Sequence, residues 1–148
     1  MMSTQKLDLK HDQSGQAAVE ALLVLMILLL VIFGGIELSR GVAIRQALDS
    51  STGMAVRALS LDPSQWHYAQ NIIQEGTHQN VMGGNTPTYL QVYDAAGTLR
   101  NAAWLSGSPF GTTFVLEASA PFQADIPFLT EPALTIRVQH WGIVERYP

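Results

Sequence analysis

The chain has no cysteine, which excludes disulfides and thiolate metal sites. An exported domain built this way holds together by its core alone. Charge is scarce: 14% of the residues are Asp, Glu, Lys or Arg, against about a quarter in an ordinary soluble domain. Basic charge is scarcer still, with 8 Lys plus Arg against 12 Asp plus Glu and a formal net charge of -4. The basic residues do not cluster, so the electrostatic footprint of a nucleic-acid binder is missing. Of the histidines His11, His67, His78 and His140, none is spaced with another histidine or an acid as a metal pair is on a helix or strand. His67, between Trp66 and Tyr68, reads as a packing or surface residue. Gly83-Gly84 lacks the lysine and helix start of a phosphate cradle and reads as a turn, Ser106-Gly107-Ser108 reads as loop, and no nucleophile elbow, kinase or zinc-protease motif occurs. No catalytic residue, metal ligand, cofactor, small-molecule substrate or nucleic-acid partner is therefore expected.

The charge deficit is concentrated in one place. Between Ala21 and Ile36 no residue is charged or strongly polar, and the apolar segment counted from Ala17 is 20 residues long. As a helix it rises about 30 Å, the thickness of the hydrocarbon core of a bilayer. Helix is also the one open-chain structure that satisfies its own backbone in lipid. Membrane lipid is thus the first expected partner. Two alternatives are weaker: a buried core helix is usually shorter, and a cleaved signal peptide needs a small-x-small exit, where this chain has Phe33-Gly34-Gly35. Charge leaves the orientation tied, since Lys6 and Lys10 precede the span and Arg40 and Arg45 follow it.

Ahead of the span, Met1 to Gly15 is polar, lacks apolar periodicity and ends in the breaker pair Ser14-Gly15; it has no reason to fold. Glu20 stands out, because an acid at the edge of an apolar helix costs a few kcal/mol unless it is paired or interfacial. Beyond the span, Ile44, Ala47, Leu48, Ser51, Ala55, Ala58 and Leu59 follow three-and-four spacing. Arg45, Asp49 and Arg57 lie on another face, and Arg45 with Asp49 makes an i,i+4 pair. The helix is expected to run from Ala17 to about Leu61, roughly 65 Å. Asp62-Pro63 is a helix start signal. It predicts a second helix from Pro63 to about Glu75, with Trp66, Ala69, Ile72 and Ile73 inward and Gly76 ending it, then a loop over Thr77–Pro87.

Three extended segments are expected: Thr88–Tyr93, with Leu90 and Val92 on one face; Thr112–Ala120, with Phe114, Leu116, Ala118 and Ala120 opposite Thr113, Glu117 and Ser119; and Leu134–Glu145, with Leu134, Ile136 and Val138 together. Asp94-Ala95-Ala96-Gly97 reads as a turn, and Pro121–Pro132 as the loop joining the last two strands. After His140 the alternation changes, with Trp141 and Ile143 apolar where polar residues are expected. A bulge near Gly142 or burial of both faces accounts for that. The fold class is α+β: a long N-terminal transmembrane and amphipathic helix, a short second helix, and a small antiparallel sheet packed on the long helix.

One stretch carries a resemblance. Gly15-Gln16-Ala17-Ala18-Val19-Glu20-Ala21-Leu22-Leu23-Val24-Leu25 resembles the start of TadE-like pseudopilins, minor components of tight-adherence (Flp-type) pilus systems. After the span, Gly35-Ile36-Glu37-Leu38-Ser39-Arg40 is similar to the family's Gly, apolar pair around Glu, then Arg. Met26 stands where the family often has proline, so the anchor lacks the usual kink. The resemblance implies a pilin-like fold and a prepilin peptidase cut between Gly15 and Gln16 at the cytoplasmic face. Residues 1–15 would be the leader, 16–37 the inner-membrane helix and 38–148 the periplasmic domain. The implied partners are the peptidase, other pilins and pseudopilins, and pilus assembly proteins. The cut frees an amino group on Gln16, with an ordinary pKa of about 7.7–8.0, four positions from Glu20, and their pairing in trans would set register. A type II secretion-type minor pseudopilin and an unprocessed single-pass envelope-anchored binding domain are the alternatives.

Overall fold

The computed structural model describes residues 10–80, 87–126 and 133–145. Its first element, α1 (Lys10–Leu61), is one helix of 52 residues, about 78 Å long at 1.5 Å per residue. It passes through Ser14-Gly15, so residues 10–15 are helical and not the irregular stretch expected. A single glycine costs a helix about 1 kcal/mol relative to Ala, and the following Gln and Ala residues are good helix formers. From Gly15 to Phe33 every residue of α1 is exposed, as a helix surrounded by lipid would be when seen without it. Burial begins at Gly34, Glu37 and Arg40 and is complete at Ile44.

From there the apolar stripe holds as predicted. Ile44, Ala47, Leu48, Ala55 and Leu59 are buried, and Val56 joins them; Ala58 is half-buried. Ser51, Thr52 and Thr77 are buried as well. Their hydroxyls donate to the carbonyls one turn back: Ser51 Oγ to Ala47 O at 2.7 Å, Thr52 Oγ1 to Leu48 O, and Thr77 Oγ1 to Ile73 O at 2.7 Å. That local bond lets a polar residue enter a packed interface without an unsatisfied donor. The expected Arg45–Asp49 pair does not form among the described residues. Asp49 Oδ1 lies 3.0 Å from His140 Nε2, a tertiary contact between the helix and the sheet.

The second helix, α2 (Trp66–Asn80), starts later and ends later than predicted. Asp62 does cap, but it caps a turn: its carboxylate accepts from Ser64 N at 3.1 Å and Ser64 Oγ at 2.6 Å, and Gln65 N donates to Asp62 O at 3.1 Å. Gly76 does not end the helix. A Cβ there would stand 2.8 Å from Ser51 Cβ, so the glycine serves the close approach of α2 to α1. The Gly83-Gly84 turn lies outside the described residues.

The remaining elements are β1 (Tyr89–Asp94), β2 (Leu99–Arg100), α3 (Ala102–Ser106), β3 (Thr113–Phe122) and β4 (Leu134–Ile143). They form one antiparallel sheet in the order β2-β1-β3-β4. Its inner face, with Val92, Phe114, Leu116, Ala118, Ala120 and Val138, shares a core with α1 and α2. The α+β architecture is the one expected, with β2 and α3 added. Asp94 builds the β1–β2 turn: Oδ1 accepts from Ala96 N at 3.0 Å and Thr98 N at 2.9 Å, and Arg100 Nη2 sits 2.7 Å from Oδ2. These bonds, the Thr98 amide foremost, hold the Asp94 carboxyl below the ordinary carboxylate range. Gly97 takes φ 79° to close the turn. Asn101 caps α3, accepting from Trp104 N at 2.8 Å; this short helix buries Leu105 and takes in Ser106 of the segment read as loop, while Gly107 and Ser108 lie beyond its end.

No bulge interrupts β4. Pairing with β3 runs continuously from Thr113↔Ile143 to Phe122↔Leu134. Nor are both faces buried: Trp141 and Ile143 are 65% and 51% exposed, on the outer face. The inward position is Gly142, where a Cβ would lie 2.4 Å from Phe114 Cζ and 2.8 Å from Val56 Cγ1. The Phe114 ring occupies the space a side chain would need. Gly142→Ala is therefore expected to destabilise the domain by about 1–3 kcal/mol, the usual range for overpacking. A thermal midpoint of the detergent-solubilised variant equal to that of the parent would contradict this packing. On the outer face, Leu99, Tyr93, Val115 and Trp141 are paired neighbours across all four strands, an apolar row beside the polar pair Gln139–Glu117, bonded at 2.6 Å.

Candidate functional site: the anchor and its two junctions

The residues singled out in the sequence fall at two junctions of α1. The first is Gly15, Gln16 and Glu20, one helical turn apart and all exposed. Gln16 Nε2 donates to Glu20 Oε1 at 3.1 Å, so the residue that would carry the new amino group already faces the acid. Nothing lies within 4 Å of a Cβ placed on Gly15. Packing within this chain does not require glycine there. Gly34 and Gly35 are also open to substitution within the chain.

The second junction is where α1 leaves the apolar span. Glu37 and Arg40 sit one turn apart, with Arg40 Nη1 3.4 Å from Glu37 Oε2. The Arg40 guanidinium also lies over the ring of Phe122, 5.9 Å from its centroid, a cation–π arrangement. Phe122 in turn rests on Gly41, whose Cβ would meet the ring at 3.4 Å. Of the motif residues singled out in the sequence, the fold brings Glu37 and Arg40 together, while Gly35 stays apart on the helix surface. Phe122 was not foreseen. It is distant in sequence from the span, and the sequence placed it in the loop over Pro121–Pro132, whereas β3 runs on through Phe122. Arg40 Nε is buried without a hydrogen-bond partner among the described residues, so the pair and the ring stack carry this side chain.

Among the described residues no group of three or more His, Cys, Asp or Glu is placed to hold a metal ion. Among the described residues, a small α+β domain is carried on one helix long and apolar enough to cross a membrane. Residues 15–57 match the family model described as TadE-like protein, a likeness confined to α1. No curated protein and no solved structure gives a significant match.

Proposed function

We propose that the chain is a minor pseudopilin of a tight-adherence pilus, held in the bacterial inner membrane by α1 with its N-terminus cytoplasmic and its α+β domain periplasmic. A prepilin peptidase cuts it between Gly15 and Gln16, and it then takes part in pilus assembly alongside other pilins and assembly proteins. The observation that carries this reading is the match over residues 15–57, which starts at the glycine of the expected cut and ends within the buried stripe. The family match favours this system over the type II secretion and unprocessed-anchor alternatives. Gly15 fits the role of a peptidase determinant because the fold makes no demand for it. The Gly15–Gln16 bond is helical, so cutting requires the first turns of α1 to unwind. A glycine near a helix end makes that opening cheap.

The test is the mass of the chain extracted from membranes of cells with and without the peptidase. Loss of residues 1–15 only where the peptidase is present is the expected result. An intact N-terminus in both cells would sink the processing step and, with it, the pseudopilin assignment.

A further inference from the structure

We infer that the junction where α1 leaves the span is a binding site for one anionic phospholipid of the surrounding membrane. An open groove of about 610 Å³ runs between α1 and the facing ends of β3 and β4. Its floor is apolar, made by Val42 and Gly41 of α1 with Phe122 and Ile136 of the sheet, and Arg45 and Arg137 stand in its lining. The groove reaches down to Gly34, inside the apolar span, so it is continuous with the position of the hydrocarbon layer. An acyl chain enters it from the membrane without crossing water.

The charge selects the ligand. Glu37 is the acid in the lining, and Arg40 already neutralises it at 3.4 Å. Asp125, between the lining residues Ala124 and Ile126, does not line the groove. Among the described residues, no carboxylate lies within ion-pair distance of Arg45 or Arg137. Two guanidinium groups without a counter-charge among the described residues, over an apolar trough, fit a phosphate headgroup above an acyl tail. Arginines this close to the end of a span reach the headgroup layer by lying along their own apolar stems. Each basic side chain at an anionic membrane surface is worth about fivefold in binding, so two give roughly 30-fold.

This site rests on the membrane anchoring proposed above and not on leader cleavage, so an unprocessed N-terminus would leave it standing. The test uses the full chain in nonionic detergent, titrated with dioleoylphosphatidylglycerol or dioleoylphosphatidylcholine, with bound lipid counted by native mass spectrometry. Phosphatidylglycerol is expected to bind about 30-fold more tightly than phosphatidylcholine. The double variant Arg45→Gln/Arg137→Gln should bring the two lipids to equal affinity. Arg57→Gln, about 18 Å further along α1, should change nothing. Val42→Trp keeps every arginine and fills the trough, and should weaken both lipids. Equal binding of the two lipids by the parent chain would overturn the site, as would full phosphatidylglycerol binding in the double variant or in Val42→Trp. Displacement of the lipid by inorganic phosphate at equal concentration would also overturn it, by assigning the arginines to a free anion.

Discussion

Gly15→Val is expected to leave the chain untrimmed, with residues 1–15 still attached in cells that process the parent completely. A β-branched side chain at this position has no folding penalty to explain the result, because the space around Gly15 is empty. Valine removes the conformational freedom that lets the helical backbone open into a protease cleft. The effect should be close to all-or-none, since processing is read as one mass or the other. Gly34→Val serves as the comparison: a Cβ there also meets nothing within 4 Å, but it lies at the far end of the span from the expected cut, and should be trimmed normally. Full trimming of Gly15→Val would remove the glycine from the account of recognition.

Glu20→Leu should enter the membrane as well as the parent or better, and should lower filament yield about tenfold or more. Removing the acid relieves the cost of a carboxylate at the edge of lipid, so insertion cannot be the step that suffers. On the proposed pairing in trans, assembly suffers because an amino group freed at Gln16 of a neighbouring subunit would then meet no charge. Truncating one partner of a desolvated ion pair typically costs 2–5 kcal/mol. The geometry before cleavage is already suited to this: the Gln16 amide and the Glu20 carboxylate are 3.1 Å apart on one face of α1. The proposed cut would free an amino group that this carboxylate could meet in its own subunit or in the next. Membrane fractionation reads insertion and sheared-filament yield reads assembly. Parental yield from Glu20→Leu would count against pairing in trans.

How far the sequence reached follows from the range of each interaction. The span, the stripe from Ile44 to Leu59 and the alternating strands were legible because each is a periodic pattern within one segment. The β1–β2 turn was legible from Asp94 and Gly97 for the same reason. What escaped was pairwise and distant. Gly76 and Gly142 looked like a helix stop and a bulge, but each is small because Ser51 or Phe114 arrives from elsewhere in the chain. Asp49 has a good local partner in Arg45 and turns instead to His140, far away in sequence. Short elements such as β2 and α3 are too brief for periodicity. At the junctions the motif residues were found and their surroundings were not, since Phe122 reaches Arg40 and Gly41 only through the fold.

The helix α1 passes without interruption from Lys10 to Leu61, and the sheet is fixed to its outer half through the core and the His140–Asp49 contact. Membrane segment and domain therefore share a single rotational phase. At 3.6 residues per turn, one residue inserted between Ile36 and Ile44 would swing the whole domain by about 100° around the axis while lifting it only about 1.5 Å. The direction in which the domain looks out from its neighbours is thus set by a residue count, in the way a keyway sets the angle of a wheel on its shaft.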